Sequence, residues 1–195
     1  MQWGKPVGLA IALAFAIAAT AGADSLTAVS CDGFVLGYSG QVDKKKCSTE
    51  DRESNHGSDT VSRIEIHDPQ FYLVATYFKG KLRTYYPYRS SRELVNADSR
   101  ISQIMEWRNL PNSRGFDVAA FSAELANQKG TIACAIFDRF SGTTTSHAEY
   151  DGGPGSKNLL TGYYCPRGGF SSTAPGSAAM TALEDSIGRL QSPPE

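Results

Sequence analysis

Four cysteines, Cys31, Cys47, Cys134 and Cys165, restrict this chain more than any other feature, because of where its first residues send them. Lys5 gives a positive start and Val7 to Ala19 an unbroken apolar run. Ala21-Gly22-Ala23 then places small residues where a signal peptidase inspects them, ahead of Asp24. The pattern predicts a signal peptide over residues 1–23, cleaved after Ala23, and a single globular domain over residues 24–195. The run is short for a span of roughly 20 residues and rich in alanine, a weak membrane former. No other stretch of the sequence is apolar enough to cross a bilayer. The expected product is bacterial and periplasmic or secreted, without a transmembrane segment once the signal is removed.

In an oxidising compartment an even set of cysteines reads as disulfides. No CxxC pair is present, which argues against a zinc ribbon or a thioredoxin-type redox centre. Of the three possible pairings, Cys31–Cys47 and Cys134–Cys165 are expected because both close local loops. Each such loop stabilises by roughly 3–4 kcal/mol through loop-closure entropy. A catalytic cysteine needs a free thiolate beside a base, so these four read as structural.

The 41% hydrophobic and 20% charged composition excludes a collagen-like, coiled-coil or wholly disordered chain. Nineteen basic against 20 acidic side chains argues against a dedicated nucleic-acid-binding domain, which carries a basic surplus. Removing the signal deletes Lys5 and no acid, so the mature chain is mildly acidic. Electrostatic binding must therefore come from local clustering.

Along the mature chain, Gly33 to Tyr38 reads as a strand and Ser48 to Asp59 as an exposed polar loop. Val61 to Ile66 is β-like and ends at the turn His67-Asp68-Pro69. Phe71 to Phe78 is the strongest strand signal, dense in aromatic and β-branched residues. Gly80 breaks it, and Leu82 to Tyr88 reads as its hairpin partner. Ser90 and Glu93 fit a capping box, with Leu94, Ala97, Ile101, Ile104 and Met105 at helical spacing behind it and a stop before Pro111. Phe116 to Glu124 and Thr131 to Phe140 flank the turn residues Asn127 to Gly130, and Leu159 to Cys165 supplies a last strand. Pro175 opens a closing helix with Met180, Leu183, Ile187 and Leu190 on one stripe. The expectation is an α+β fold: a mainly antiparallel β-sheet with about two helices, in one disulfide-stapled domain.

Catalytic patterns are weak. His56, His67 and His147 lack HExxH or paired zinc spacing. His67 and Asp68 form an acid/base pair only if both face a cleft; a turn before Pro69 is the better account of them. Ser141 to His147 reads as a loop. Gly37-Tyr38-Ser39-Gly40 is one residue short of a hydrolase elbow. The glycines of Asp151 to Lys157 do not fit a phosphate-binding loop. Glycosidase chemistry needs two carboxylates across a cleft, and sequence alone pairs none of Asp98, Glu106, Glu124, Asp138 or Glu149. No catalytic residue, metal ligand or cofactor is assigned.

One cluster stands out. Lys79, Lys81, Arg83, Arg89 and Arg92 occur without an intervening acid, interleaved with Tyr85, Tyr86 and Tyr88. Strand alternation would put Lys79, Lys81, Arg83 and Tyr85 on one face and Leu82 and Tyr86 on the other. Guanidinium groups beside phenol rings suit an anionic polymer; a solvated edge hairpin protected by lysines is the plainer explanation. The sequence points to a non-enzymatic exported module that binds an anionic cell-envelope polymer or an acidic partner protein. The alternative is a small secreted hydrolase acting on cell-wall or extracellular polymer, and a purely structural accessory subunit is a third possibility. No sequence-specific nucleic-acid partner is expected, and nothing specifies an oligomeric state.

Overall fold

A computed structural model describes residues 26–54, 57–81, 86–126, 130–144, 155–172, 175–191 and 193. The expected signal peptide, His56, Leu82, Arg83, Tyr85, His147 and Glu149 lie outside the described residues. The elements are β1 (Thr27–Val29), β2 (Gly37–Tyr38), β3 (Lys44–Ser54), β4 (Gly57–His67), β5 (Phe71–Gly80), β6 (Tyr86–Pro87) and α1 (Ser91–Asn96). They continue with β7 (Ile101–Ser113), β8 (Phe116–Leu125), β9 (Thr131–Thr144), β10 (Gly155–Pro166), α2 (Ser177–Arg189) and β11 (Leu190–Gln191).

Among the described residues nine strands form one antiparallel sheet in the order β1-β3-β4-β5-β10-β9-β8-β7, with β6 added along β10. β11 pairs separately with β2. The fold is therefore mainly β with two helices rather than α+β. The difference comes from two segments whose strand character the amino-acid pattern conceals.

The first is Ser48 to Asp59, which is a β-hairpin and not an exposed loop. β3 and β4 pair continuously from Lys44 opposite His67 to Ser54 opposite Gly57. Polar residues occupy both faces at this end, so alternation is invisible. Directly opposed Arg52 and Asp59 nevertheless support the pairing.

The second is Ile101 to Met105. The Ser90–Glu93 capping box forms as expected, but the helix it opens stops at Asn96. Ile101, Ile104, Trp107 and Leu110 are half-buried at every third position of a strand, with two exposed residues between each pair. Bulges against β8 cause the first two of these steps: Ile101, Ile104 and Trp107 face Leu125, Ala123 and Phe121, which recur at every second residue, whereas Leu110 faces Val118 in regular register and packs on the α2 side. One extra residue per bulge converts a period of two into a period of three, which imitates a helix. Pro111 is tolerated because β7 is the sheet's edge and the register shifts between Leu110 and Ser113. Arg114 and Gly115, both with positive φ, close the tight turn into β8.

Of Leu82 to Tyr88, only residues 86–88 are described, and they are not paired with β5, both of whose edges are occupied, by β4 and β10. Instead the chain rejoins β10 further along: Asn158 faces Lys79, whereas Ser156 faces Tyr86. Of Gly33 to Tyr38, Gly37 and Tyr38 are in a strand. The β8–β9 hairpin, the β10 strand and the closing helix occur where the sequence indicates.

The sheet carries a core on each face. On one, Leu183 and Ile187 of α2 pack with Leu36 and Phe170 over Ile64, Ile66, Leu73, Ala75, Phe137 and Leu160. On the other, Val95 of α1 is buried with Ala119, Phe121 and Ile136, flanked by Ile101, Ile104 and Trp107. Each fully buried large apolar side chain contributes about 1.5–3 kcal/mol, so α1, though short, is fixed by its packing. Cys31 is bonded to Cys47, and Cys134 to Cys165, as the loop argument expects. The second bond staples β9 to β10; the two disulfides are compatible with an extracellular or periplasmic location. Among the described residues no helix is long and apolar enough to cross a membrane.

Candidate functional site

Strand alternation divides the basic–tyrosine cluster between the two faces of the sheet. On β5, Lys79 follows Leu73, Ala75 and Tyr77 onto the α2 face, opposite Thr60. The Lys81 ammonium donates to Asp51 Oδ1 at 2.7 Å, and the Thr60 hydroxyl donates to the same oxygen at 2.6 Å. The Lys81 hydrogen bond, the largest cause, holds the exposed Asp51 carboxyl below its ordinary range. Lys81 is thus engaged with an acid.

Tyr86 and Tyr88 belong to the opposite face. There Phe78, Leu159 and Phe140 form a cross-strand row. Tyr86 packs on Phe78 with ring centroids 5.7 Å apart, and Tyr88 meets Phe140 edge-on at 5.2 Å. The Tyr86 hydroxyl donates to Asp59 Oδ2 at 2.6 Å, and Arg52 grips the same carboxylate through Nε, at 2.9 Å, and Nη2. Burial pushes Asp59 upward, but the bonds from Arg52 and Tyr86 outweigh it and leave the carboxyl below its ordinary value. Burial likewise drives the Tyr86 phenol far up. Tyr86 is therefore an anchor, whereas Tyr88 remains 49% exposed.

Beyond Tyr88 the chain presents Arg89 and then, through the capped first turn of α1, Arg92, both exposed. The Arg92 guanidinium stands over the Trp107 ring, 6.0 Å from its centroid. Trp107 stacks on the buried Phe121 and donates its indole N–H to Asn109 at 2.7 Å. This face thus carries an exposed phenol against Phe140 and, from the first turn of α1, a guanidinium over the indole of Trp107, each ring backed by a packed aromatic. Of the sequence-derived cluster, Tyr88, Arg89 and Arg92 are exposed between β6 and the first turn of α1; Lys79 and Lys81 lie on the other face. Trp107 joins from β7, a residue that the three-residue spacing had hidden in an expected helix.

Beneath α1 a polar row crosses the sheet: Arg63, Thr76, Thr161, Asp138 and Asp117 stand opposite one another on β4, β5, β10, β9 and β8. The Arg63 Nε donates to Thr76 at 3.3 Å. Asp138 is 1% exposed and accepts from the Ser91 hydroxyl at 2.6 Å. Burial, with some help from Asp117 and against the Ser91 bond, pushes its carboxyl up to about 6.

Other candidate groups have structural partners. Asp98 is chelated by Arg100 and accepts from the Tyr163 hydroxyl at 3.1 Å; Glu106 accepts from Ser122 and Ser172. His67 packs on Tyr72 and approaches Glu65 at 3.7 Å, whereas Asp68 accepts from the Gln70 amide. Among the described residues no group of three or more His, Cys, Asp or Glu side chains is placed to hold a metal ion. Comparison with protein-family models, curated proteins and solved structures finds no match.

Proposed function

We propose that the chain is an exported, non-enzymatic binding module that engages an anionic component of the cell envelope through Tyr88, Arg89, Arg92 and Trp107. The observation that carries this reading is the exposed guanidinium of Arg92 over Trp107, continued by Arg89 and an exposed Tyr88 braced on Phe140. Guanidinium forks recognise phosphate or carboxylate, and aromatic faces stack on sugar rings or bases. Fixing the rings beforehand lowers the ordering cost of binding. A hydrolase would need a carboxylate open to substrate, and Asp138, raised into a range suited to proton transfer, is closed under Ser91.

Cosedimentation with an isolated envelope fraction tests the proposal. Binding should weaken with salt, because exposed charges are screened over about 10 Å at roughly 0.1 M. Arg89→Ala with Arg92→Ala should abolish it, and Tyr88→Ala should weaken it without altering the salt slope. Lys79→Ala with Lys81→Ala should leave it intact. Retained binding by a folded Arg89→Ala/Arg92→Ala protein would overturn the proposal.

A further inference from the structure

We propose that Ser91 and Asp138 form a proton-operated latch: the Tyr88–Arg92 segment is closed on the sheet while Asp138 is protonated and is released when Asp138 ionises. The inference rests on the binding role of this segment for its consequence, and on the buried contact alone for its existence.

The geometry isolates the carboxyl from compensating charge. Asp117 faces it from β8, Thr161 from β10 and Ser91 from α1. Arg63 of β4 stands at the far end of the row, beyond Thr161 and Thr76. Of the charged residues on α1, Arg92 is directed at Trp107 and Glu93 at the Ser90 cap. Ionisation therefore creates a buried negative charge beside a second carboxylate, with a neutral hydroxyl as its donor, an arrangement that costs free energy until water is admitted. The element between the carboxyl and solvent is α1, six residues long, held by Val95 in the core and by the Ser91 hydroxyl. Short elements of this kind open locally without global unfolding.

An Asp raised from 3.8 to about 6 when covered regains its ordinary value when uncovered. The ratio of open to closed segment then rises about 100-fold between acidic and neutral pH, tenfold for each unit. Opening separates Arg92 from Trp107, so binding is strongest under acidic conditions.

The test is hydrogen exchange by mass spectrometry on peptides covering residues 86–100, from pH 4 to 8 and corrected for intrinsic exchange. Protection in the parent should fall by about 100-fold between about pH 4 and 6, with its logarithmic midpoint near pH 5, and level off above pH 6, while peptides from β4 and β5 stay constant. Asp138→Asn, which keeps the shape and the acceptor, should remain protected throughout. Ser91→Ala removes a bond that lowers Asp138 and should move the midpoint to higher pH. Protection independent of pH in the parent, or an unchanged midpoint in Ser91→Ala, overturns the latch. A parallel arm measures binding of dextran sulfate at pH 5 and 7.5. Switching protection without binding at either pH removes the binding role and leaves the latch standing; binding with pH-independent protection does the reverse.

Discussion

Gly162 sits in the middle of β10, opposite Ala75 on one side and Phe137 on the other. A Cβ at this position would lie 2.3 Å from the Val74 carbonyl oxygen and 2.4 Å from Cζ of Phe137. Neither neighbour can give way cheaply. The carbonyl belongs to the central strand β5, and the Phe137 ring is fully buried, edge-on to Phe116 at 5.7 Å. Gly162→Ala is therefore an overpacking substitution. Such changes cost about 1–3 kcal/mol, and the backbone clash places this one at the upper end, about 3 kcal/mol. Against the roughly 5–15 kcal/mol of a typical domain this is a large loss; at about 2–4 °C per kcal/mol it lowers Tm by roughly 6–12 °C. Urea unfolding followed by near-ultraviolet circular dichroism should show a lower midpoint at unchanged slope. Phe137→Leu, itself destabilising through the cavity it leaves, should relieve part of the clash, so that the double variant is more stable than the two losses added together. A Gly162→Ala protein within about 0.5 kcal/mol of the parent, the range of an ordinary surface change, would refute the packing assigned to this face.

Three further outcomes follow from other contacts. Asp138, raised to about 6 from 3.8, contributes stability that is complete below pH 3.8 and lost as pH rises through 6, at most about 3 kcal/mol. Asp59 and Asp98, both held below 3.8, contribute stability that is present above that value and lost as pH falls through their lowered ones. From these carboxyls thermal melts should peak near pH 4, and Asp138→Asn should remove the decline between about pH 4 and 6. Ser90→Ala removes the α1 cap and should cost about 1 kcal/mol, read as faster hydrogen exchange over residues 91–97. Alkylation of the unfolded protein should label no cysteine before reduction and all four after it, and reduction should lower the urea midpoint by an amount equivalent to several kcal/mol.

Features that depend on local chemistry were legible in the sequence. The Ser90–Glu93 box and the stripe of α2 are set by neighbours in the chain. The disulfide partners followed from loop length, and their burial in the two cores agrees with a structural role. What escaped depends on a partner strand. Nothing within Ile101 to Trp107 reveals that each third residue is in step with each second residue of β8, since the bulges exist only in the pair. The polar β3–β4 hairpin gains its order from Arg52 meeting Asp59 across strands, a contact that composition reads as loop. The site was half legible for the same reason. The density of Arg and Tyr marked Tyr88, Arg89 and Arg92, but alternation beyond Gly80 could not show that the chain leaves β5 and rejoins β10. Lys79 and Lys81 lie on one face and Tyr86 and Tyr88 on the other. Asp138 carried no sequence signal, because its environment is assembled from four strands and a helix.

Residues 24–195 carry their own probe for the proposed surface. With Trp3 in the segment expected to be removed, Trp107 is the single tryptophan of residues 24–195, and it lies under Arg92. Titrating that protein at pH 5 with dextran sulfate, with neutral dextran as control, should change Trp107 emission saturably, with an apparent affinity that falls as salt is raised. The response should be absent for neutral dextran and for an Arg89→Ala/Arg92→Ala variant that melts with the parent. Emission indifferent to the polyanion, or a response that persists in the folded variant, would contradict the assignment of this surface to anion binding.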